Sequence, residues 1–192
     1  IEKLREEKYE FEKEFKKLER VLNKGYDKAE EEFIPLFNKY AYNFLGLNID
    51  LKLRNSTKGS TLVLVIEDSE RNDIYQLSES QRYFIDIALR MAFIEHSCEQ
   101  ATLLVDTPEG SLDIAYESRA GQMFGDFSEL GFNLIMTANI NTSQLLVELA
   151  GKCTSSNMKL ERMTEWTHLS EVQYEEEEKI IDAYNRIEEL LN

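Results

Sequence analysis

The segment Leu103-Leu104-Val105-Asp106-Thr107-Pro108-Glu109-Gly110-Ser111-Leu112-Asp113 decides how this chain folds. It begins with a short apolar run, which is typical of a strand buried on both faces of a parallel sheet. The run leads into Asp106 and so predicts a carboxylate at the carboxyl end of the strand, where α/β sheets gather their ligands. A carboxylate there can orient the water shell of Mg²⁺, since this ion prefers oxygen ligands. A strand that ends in an acid also occurs for structural reasons alone.

The second part of the segment has the composition of a tightly specified turn. Pro108 fixes the exit from the strand, Gly110 permits a sharp turn, and Asp113 can cap the following helix. Such a turn is typical of a loop that is held in place for a contact. The simpler interpretation is a well-formed connection between a strand and a helix, with Asp113 as the N-cap.

Strands and helices alternate along the rest of the chain. The predicted elements are a helix at 27–44 that is kinked or divided at Pro35, a hairpin of 48–54 and 60–67 around a turn at 55–59, helices at 80–97, 115–130, 143–150 and 171–191, and strands at 103–106, 133–137 and 158–166. This alternation predicts βαβ units, and therefore the α/β fold class.

The composition indicates one acidic domain with an extension. The chain has 192 residues, of which 42% are hydrophobic, and a formal net charge of −15. A negative surface repels phosphate backbones, so a contact with nucleic acid needs a local basic patch or a partner subunit. Cys98 and Cys153 match neither a disulfide framework nor a CxxC metal pair, and the sequence has no signal peptide or membrane span. We therefore expect a cytoplasmic protein without a membrane partner.

The first 26 residues have the pattern of a coiled-coil arm. Apolar residues recur at positions 4, 11 and 18 and at 15 and 22, and Lys8 interrupts the second of these heptad series. We predict that residues 1–26 are the end of such an arm and that residues 27–192 form the domain. The alternative is an ordinary amphipathic helix that lies on the domain. Because the chain begins within a helical pattern, at Ile1, we expect it to be part of a longer polypeptide.

A second chemically informative segment, Leu77-Ser78-Glu79-Ser80-Gln81-Arg82, opens the helix predicted at 80–97. Free backbone N–H groups and the positive end of the helix dipole bind phosphate at such a position. The small hydroxyl side chains of Ser78 and Ser80 allow a close approach and add donors. The ordinary interpretation is that the serine is a plain N-cap.

The order of these segments resembles the C-terminal lobe of ABC-type ATPase heads, and most closely the SMC family (structural maintenance of chromosomes) with its double-strand-break-repair relatives. The family signature Leu-Ser-Gly-Gly-Gln corresponds here to Leu77, Ser78, Glu79, Ser80 and Gln81. The other matches are Asp106 with the Walker B aspartate, Ser111-Leu112-Asp113 with the D-loop, and 133–139 with the strand before the switch loop. The resemblance covers roughly residues 1–166, since the arm also suits the antiparallel coiled coil of the family.

Three features depart from the family pattern. The chain has no GxxxxGK[ST] segment, so the Walker A lobe must come from another segment of the same polypeptide or from another chain. Thr107 stands where the family has the glutamate that polarises the attacking water, which leaves Glu109 as the candidate if the turn rearranges. Ala138 replaces the switch histidine, with Asn139 beside it as a polar substitute. Slow hydrolysis is the expected consequence.

The resemblance implies ATP and Mg²⁺ as cofactors and a second head as partner, in a homodimer. Ser78 would contact ATP bound on the opposite head, Asp106 would position Mg²⁺ in its own head, and Asp113 would help to pair the two sites. The arms would transmit head engagement to DNA within a complex that has accessory subunits. The sequence Asp106-Thr107-Pro108, in place of the usual Asp-Glu-Pro, resembles that of divergent branches of the family found in bacterial anti-phage systems, including the SMC-like subunit of Lamassu.

Two other functions stay open at this point. Thr107 and Ala138 both lack groups that hydrolysis normally uses, so the protein could be a nucleotide-gated scaffold with little or no turnover. A structural α/β domain with a helical arm would show no response to nucleotide at all.

Overall fold

The computed structural model describes residues 2–56, 59–140 and 144–192, without the side chains of Asn55, Ser56, Ser60 and Ser111. The centre of the predicted hairpin turn and the first residue of the helix predicted at 143–150 lie outside the described residues. The side chain of Ser111, predicted to belong to the nucleotide site, lies outside them as well.

A continuous helical path opens the described chain. Helix α1 covers Glu2–Lys28, a π-helical turn covers Ala29–Phe33, and helix α2 covers Ile34–Leu45. Pro35 lies in the first turn of α2, directly after the π-helical turn. The predicted division at Pro35 is therefore a change of helix type just before the proline, and the helix does not end there. It ends at Gly46, whose φ of 63° closes the last turn.

The predicted hairpin is confirmed and has a third strand beside it. Strands β1 (Ile49–Ser56) and β2 (Gly59–Ile66) are antiparallel, with Leu51 opposite Leu64. Strand β3 (Ser69–Arg71) pairs with the other edge of β2. The connection between β2 and β3 is Glu67-Asp68, and both residues have positive φ, as a tight two-residue hairpin turn requires.

A βαβ unit follows and confirms the α/β fold class. The elements are helix α3 (Glu79–Ser97), strand β4 (Thr102–Asp106), helix α4 (Glu117–Glu129) and strand β5 (Asn133–Thr137). Strands β4 and β5 are parallel, and Asp106 lies opposite Thr137 at their carboxyl ends. Three helices complete the described chain: α5 (Gln144–Lys152), α6 (Glu171–Glu175) and α7 (Glu177–Leu191).

Aromatic side chains from α2, α3 and α4 form the centre of the core. The ring of Phe44 lies 4.7 Å from that of Phe84 and 5.5 Å from that of Phe124, and all three are buried. Helices α4 and α5 approach closely at Gly121, where an added Cβ would lie 2.3 Å from the Leu145 carbonyl oxygen. The core therefore fixes the helices that come before and after β4.

The parallel strands are covered on one face only, which corrects the prediction that β4 is buried on both faces. Leu103 and Val105 are buried, whereas Leu104 is 69% exposed and Ile135 on β5 is 60% exposed. Within the described residues β4 pairs with β5 alone, so no strand lies along its other edge. An apolar run shows only that a strand is suited to burial. Whether both of its faces are buried depends on which other elements pack against them.

The strand predicted at 158–166 is wrong. Met158 and Leu160 pack against the core and Lys159 between them is exposed, so the alternation of a strand is present. However, none of the described strands lies beside this segment to supply backbone hydrogen bonds, and a 3-10 turn forms at Met163–Glu165 instead. The helix predicted at 171–191 forms, but it is divided at Glu176 into α6 and α7.

Helix α1 does not lie on the domain. None of its residues is buried, and Leu4, Phe11 and Phe15 are 69%, 71% and 66% exposed. This contradicts the alternative of an ordinary amphipathic helix packed on the domain. Among the described residues, no helix has the length and apolarity to cross a membrane.

Candidate functional site

Asp106 ends strand β4, and two hydroxyl groups hold its carboxylate. Thr137 Oγ1, at the end of β5, donates a short hydrogen bond to Asp106 Oδ1, and Thr107 Oγ1 donates to the same oxygen at 3.1 Å. These hydrogen bonds, that of Thr137 first, hold the pKa of the carboxyl below its ordinary value, so the group is ionised at neutral pH. Asp106 is exposed, and within the described residues its Oδ2 accepts no hydrogen bond.

Thr107 turns the chain away from the strand through a strained backbone. Its φ of 43° and ψ of 57° lie in the left-handed region, which β-branched residues rarely adopt. Its N–H donates to Thr137 O at 3.0 Å and to Thr137 Oγ1 at 3.1 Å, so the turn is tied to the end of β5. The Thr107 hydroxyl already donates to Asp106 and cannot act as a base. Thr107 therefore cannot take the role of the glutamate expected at this position.

Glu109 and Asn139, both predicted to be catalytic, are brought together by this turn. Glu109 lies in the 3-10 turn Pro108–Ser111, and its Oε1 accepts a short hydrogen bond from the backbone N–H of Asn139. The contact uses the main chain of Asn139 and not its side-chain amide. Glu109 Oε2 is buried and has no hydrogen-bond partner among the described residues. Because this oxygen has no surface open to solvent, it would accept from a water molecule only if the turn rearranges.

Two residues of the site, Tyr83 and Thr137, are not predicted from the sequence. Tyr83, on α3, donates from its hydroxyl to the Asp106 carbonyl oxygen at 3.1 Å, and burial raises the pKa of this phenol. No sequence signal marks Tyr83. Thr137 ends the second strand of the parallel pair, and this alone places it at the same edge of the sheet as Asp106. We refer to Tyr83, Asp106, Thr107, Glu109 and Thr137 as the strand-end cluster.

The predicted phosphate-contacting serine is an N-cap in the structure. Ser78 Oγ accepts from the Gln81 N–H at 3.2 Å, and Gln81 Oε1 accepts from the Ser78 N–H at 3.0 Å, which is a capping box. Ser170 and Gln173 form the same box at the start of α6, with distances of 3.3 and 2.8 Å. Ser78 is exposed, so its hydroxyl is open to a ligand while it caps the helix.

The other residues of the signature-like segment differ in their surroundings. Leu77 packs against the core, Glu79 is exposed in the first turn of α3, and Ser80 is half-buried. The charge of Glu79 is favourable beside the helix dipole but opposes a bound phosphate. Phosphate binding at this helix start therefore needs positive charge from another source.

Asp113 caps the helical turn that leads into α4. Its Oδ1 accepts from the Ala115 N–H at 3.0 Å, which confirms the capping role predicted for it. The backbone of Ser111 ends the preceding 3-10 turn. Within the described residues, no hydrogen bond joins Ser78, Gln81 or Asp113 to the strand-end cluster. The predicted site residues are therefore not joined into one hydrogen-bonded group.

The surroundings of Asp106 suit an indirect contact with a metal ion. Over the residues that the structure describes, no group of three or more His, Cys, Asp or Glu side chains is arranged to hold a metal. Mg²⁺ keeps several waters and is commonly held by one or two carboxylates together with substrate phosphates. A single oriented, ionised carboxylate fits this mode of binding.

Comparisons with known proteins give matches in structure but not in sequence. No protein-family model matches the chain, and no curated protein matches it. The crystal structure of the SmcHead bound to the C-winged helix domain of ScpA is similar with a TM-score of 0.46 and 16% identity, over 57% of this chain and 35% of that chain. The SMC head domain from Thermotoga maritima is similar with a TM-score of 0.41 and 16% identity, over 64% of this chain and 41% of that one. The chain thus spans less than half the length of either head domain.

Proposed function

We propose that this chain is the C-terminal lobe of an SMC-like ATPase head, which binds ATP and Mg²⁺ when a lobe with the Walker A segment completes it. The observation that carries the proposal is the carboxylate of Asp106, held on one oxygen at the carboxyl end of a parallel strand. Mg²⁺, when bound with ATP, neutralises charge on the phosphates. Asp106 would orient the water shell of the ion, and Glu109 would hold the attacking water once the turn that buries its Oε2 rearranges.

The uncovered face of β4 and β5 supports a second lobe. Parallel strands are normally covered on both faces. Here Leu104 and Ile135 are 69% and 60% exposed on one face, and the described part of the chain leaves the other edge of β4 unpaired. A Walker A lobe of the same protein would cover this face and extend the sheet. It would also bring its phosphate-binding loop to the strand end at Asp106.

The first helix supports an arm that needs a partner helix. The heptad residues Leu4, Phe11, Phe15, Leu18 and Leu22 are each at least 54% exposed. A returning helix would bury this seam in an antiparallel coiled coil. We propose residues 1–26 as the end of the arm and 27–192 as the head lobe, with the helix continuous across the boundary.

The connection of the arm to the site runs through α2. The arm helix continues through the π-helical turn Ala29–Phe33 into α2, so a movement of the arm would be transmitted to the core. Arg119 on α4 donates to the Asn43 carbonyl oxygen in the last turn of α2 at 3.0 Å. The helical turn Ile114–Tyr116 joins α4 to the segment of Glu109 and Asp113, which would give the arm a physical route to the nucleotide site.

We propose that Ser78 and Asp113, which no described hydrogen bond ties to the strand-end cluster, act at a second head. Ser78 would contact the γ-phosphate of ATP bound to the partner head, and Asp113 would help to pair the two sites. Two copies that each carry a formal charge of −15 repel one another. A stable homodimer of heads therefore needs specific contacts, and we propose that bound ATP provides them.

Slow hydrolysis is proposed from the contacts of Thr107 and Glu109. The Thr107 hydroxyl is engaged with Asp106, and Glu109 is restrained through its hydrogen bond with the Asn139 N–H. Glu109 Oε2 has no described partner but is buried, so it would receive a water molecule only if the turn rearranges. The alternative function is a nucleotide-gated scaffold, in which ATP holds the heads together and is hydrolysed little or not at all.

We propose that such a head acts on DNA through a larger complex. The setting would be repair, chromosome maintenance or anti-phage defence of the Lamassu type, with accessory subunits. The chain has 37 acidic and 22 basic residues, so a basic surface for DNA would come from those subunits or from the rest of the polypeptide.

The test compares the full-length protein with its Glu109→Gln variant. ATP turnover is measured together with ATP-dependent dimerisation by analytical ultracentrifugation. Loss of a general base lowers turnover by about 10²- to 10⁴-fold, and such a loss with dimerisation retained would support the ATPase. Dimerisation without turnover in the unmodified protein would support the scaffold.

The matched control is Glu99→Gln, which removes an exposed acid in the loop before β4. This change should leave both turnover and dimerisation at the level of the unmodified protein. An unmodified full-length protein that shows no response to ATP in either measurement would overturn both functions.

A further inference from the structure

Thr137 connects the turn after β4 to the carboxylate of Asp106. Its hydroxyl donates its single proton to Asp106 Oδ1, and its oxygen accepts the Thr107 N–H at 3.1 Å. The Thr107 hydroxyl lies 3.3 Å from that of Thr137, but it donates to Asp106 Oδ1 at 3.1 Å. Each hydroxyl proton thus has its own bond, and both bonds end on the same carboxylate oxygen.

Two donors on one oxygen determine which oxygen of Asp106 is left for another ligand. An exposed aspartate without such contacts samples several rotamers and presents either oxygen. With Oδ1 occupied by Thr107 and Thr137, the plane of the carboxylate is restrained, and Oδ2 is the acceptor that no described residue occupies. Because Thr137 belongs to β5, the restraint depends on the pairing of the two strand ends.

We propose that Thr137 is a positioning residue that holds Asp106 Oδ2 for the hydrated Mg²⁺ of bound ATP. The inference rests on the proposed function and assigns to this threonine a role that the motif resemblance does not include. Removal of an outer-shell partner typically lowers metal affinity by about 10- to 100-fold. Since Thr107 keeps one hydrogen bond to Asp106, the loss for Thr137→Val should lie near the lower end, about tenfold.

The test is a Mg²⁺ titration of ATP binding to the full-length protein, followed with a fluorescent ATP analogue. Thr137→Val removes the donor and keeps the shape of the side chain, so the Mg²⁺ midpoint should rise about tenfold. Binding of the analogue in EDTA should not change. Thr137→Ser keeps the hydroxyl and should match the unmodified protein. Thr102→Val is the matched control, because Thr102 lies at the opposite end of β4.

A second measurement separates positioning from a merely structural contact. In the Asp106→Asn background, Thr137→Val should shift the Mg²⁺ midpoint no further, because both changes act through one carboxylate. Additive shifts would overturn the inference. If Thr137→Val does not fold, Thr137→Ala replaces it in both titrations.

The two proposals fail in different ways. An unchanged Mg²⁺ midpoint for Thr137→Val, in a protein that binds ATP with Mg²⁺, would overturn the role of Thr137 and leave the proposed function intact. An unmodified protein whose nucleotide binding does not respond to Mg²⁺ would overturn the metal site and the role of Thr137 together.

Discussion

Ser78 has two roles in the proposed head, and two substitutions separate them. Its hydroxyl caps α3 by accepting from the Gln81 N–H at 3.2 Å, and it would also contact the γ-phosphate on the second head. Ser78→Ala removes both contacts. Ser78→Asp keeps an acceptor for the cap but places a negative charge where the phosphate would lie. Stability should therefore fall only in the alanine variant, whereas dimerisation should be lost in both.

The expected losses of stability and of dimerisation are both large enough to measure. Loss of an N-cap costs about 1 kcal/mol, which lowers the Tm of a domain of about 150 to 250 residues by about 2 to 4 °C. A hydrogen bond to a charged group contributes about 1.5 to 3 kcal/mol, and a symmetric pair of heads would contain it twice. Ser78→Ala should therefore weaken ATP-dependent dimerisation by about 3 to 6 kcal/mol, which raises the Kd at least about 100-fold.

The assay is analytical ultracentrifugation of the full-length protein with ATP, together with thermal unfolding. Ser170→Ala is the matched control, because Ser170 and Gln173 form the same capping box at the start of α6. This control should loosen α6 and leave dimerisation unchanged. Ser78→Asp should unfold at the temperature of the unmodified protein and remain monomeric with ATP. Normal ATP-dependent dimers of Ser78→Asp would refute the contact between Ser78 and the second head.

Three further predictions concern the open sheet face, the turn before α3 and the pKa of Asp106. Leu104→Asp should destabilise the full-length protein by about 1.5 to 3 kcal/mol in urea unfolding if a second lobe buries this face, and a change within about 0.5 kcal/mol would show that the face stays exposed. Tyr75 is 85% exposed just before α3, so Tyr75→Ala should raise the Kd of ATP-dependent dimerisation about fivefold or more, whereas Val172→Ala, at a 70% exposed position on α6, should not. The folded-state pKa of Asp106 lies below its ordinary 3.8, so its hydrogen bonds stabilise the fold above that pH and are lost as the pH falls further. The difference in Tm between the unmodified protein and Thr137→Val should therefore be steady near neutral pH and shrink below pH 3.8. A difference that stays constant at low pH would contradict the stabilisation of the Asp106 carboxylate by Thr137.

The order of elements from α3 to β5 could be predicted from the sequence, because apolar runs and helical periodicity are local properties. The same kind of local pattern predicts a strand at 158–166. Met158 and Leu160 are partly buried there and Lys159 between them is exposed, but no strand forms. A strand exists only through hydrogen bonds to a neighbouring strand. The local pattern therefore shows which face of the segment packs on the core, but it does not establish pairing.

The site could be predicted in part. Asp106 and Glu109 stand in one short segment, and Asn139 closely follows the next strand of the predicted pair. The partners that fix them come from further away: Thr137 is 31 residues from Asp106, and Tyr83 is 23 residues from it. Neither hydroxyl carries a motif of its own, since threonine and tyrosine occur in many strands and helices without such a contact.

Interactions between residues close in sequence determine the N-cap of α3 at Ser78 and the cap at Asp113, because each of these hydrogen bonds joins residues two or three positions apart. Folding in three dimensions settled the rest of the site. It brought two hydroxyls to one oxygen of Asp106, left Glu109 Oε2 without a described partner, and exposed one face of β4. A hydrogen bond requires its two heavy atoms to lie about 3 Å apart. Which distant residues approach so closely depends on how all the elements pack, and no single segment contains that information.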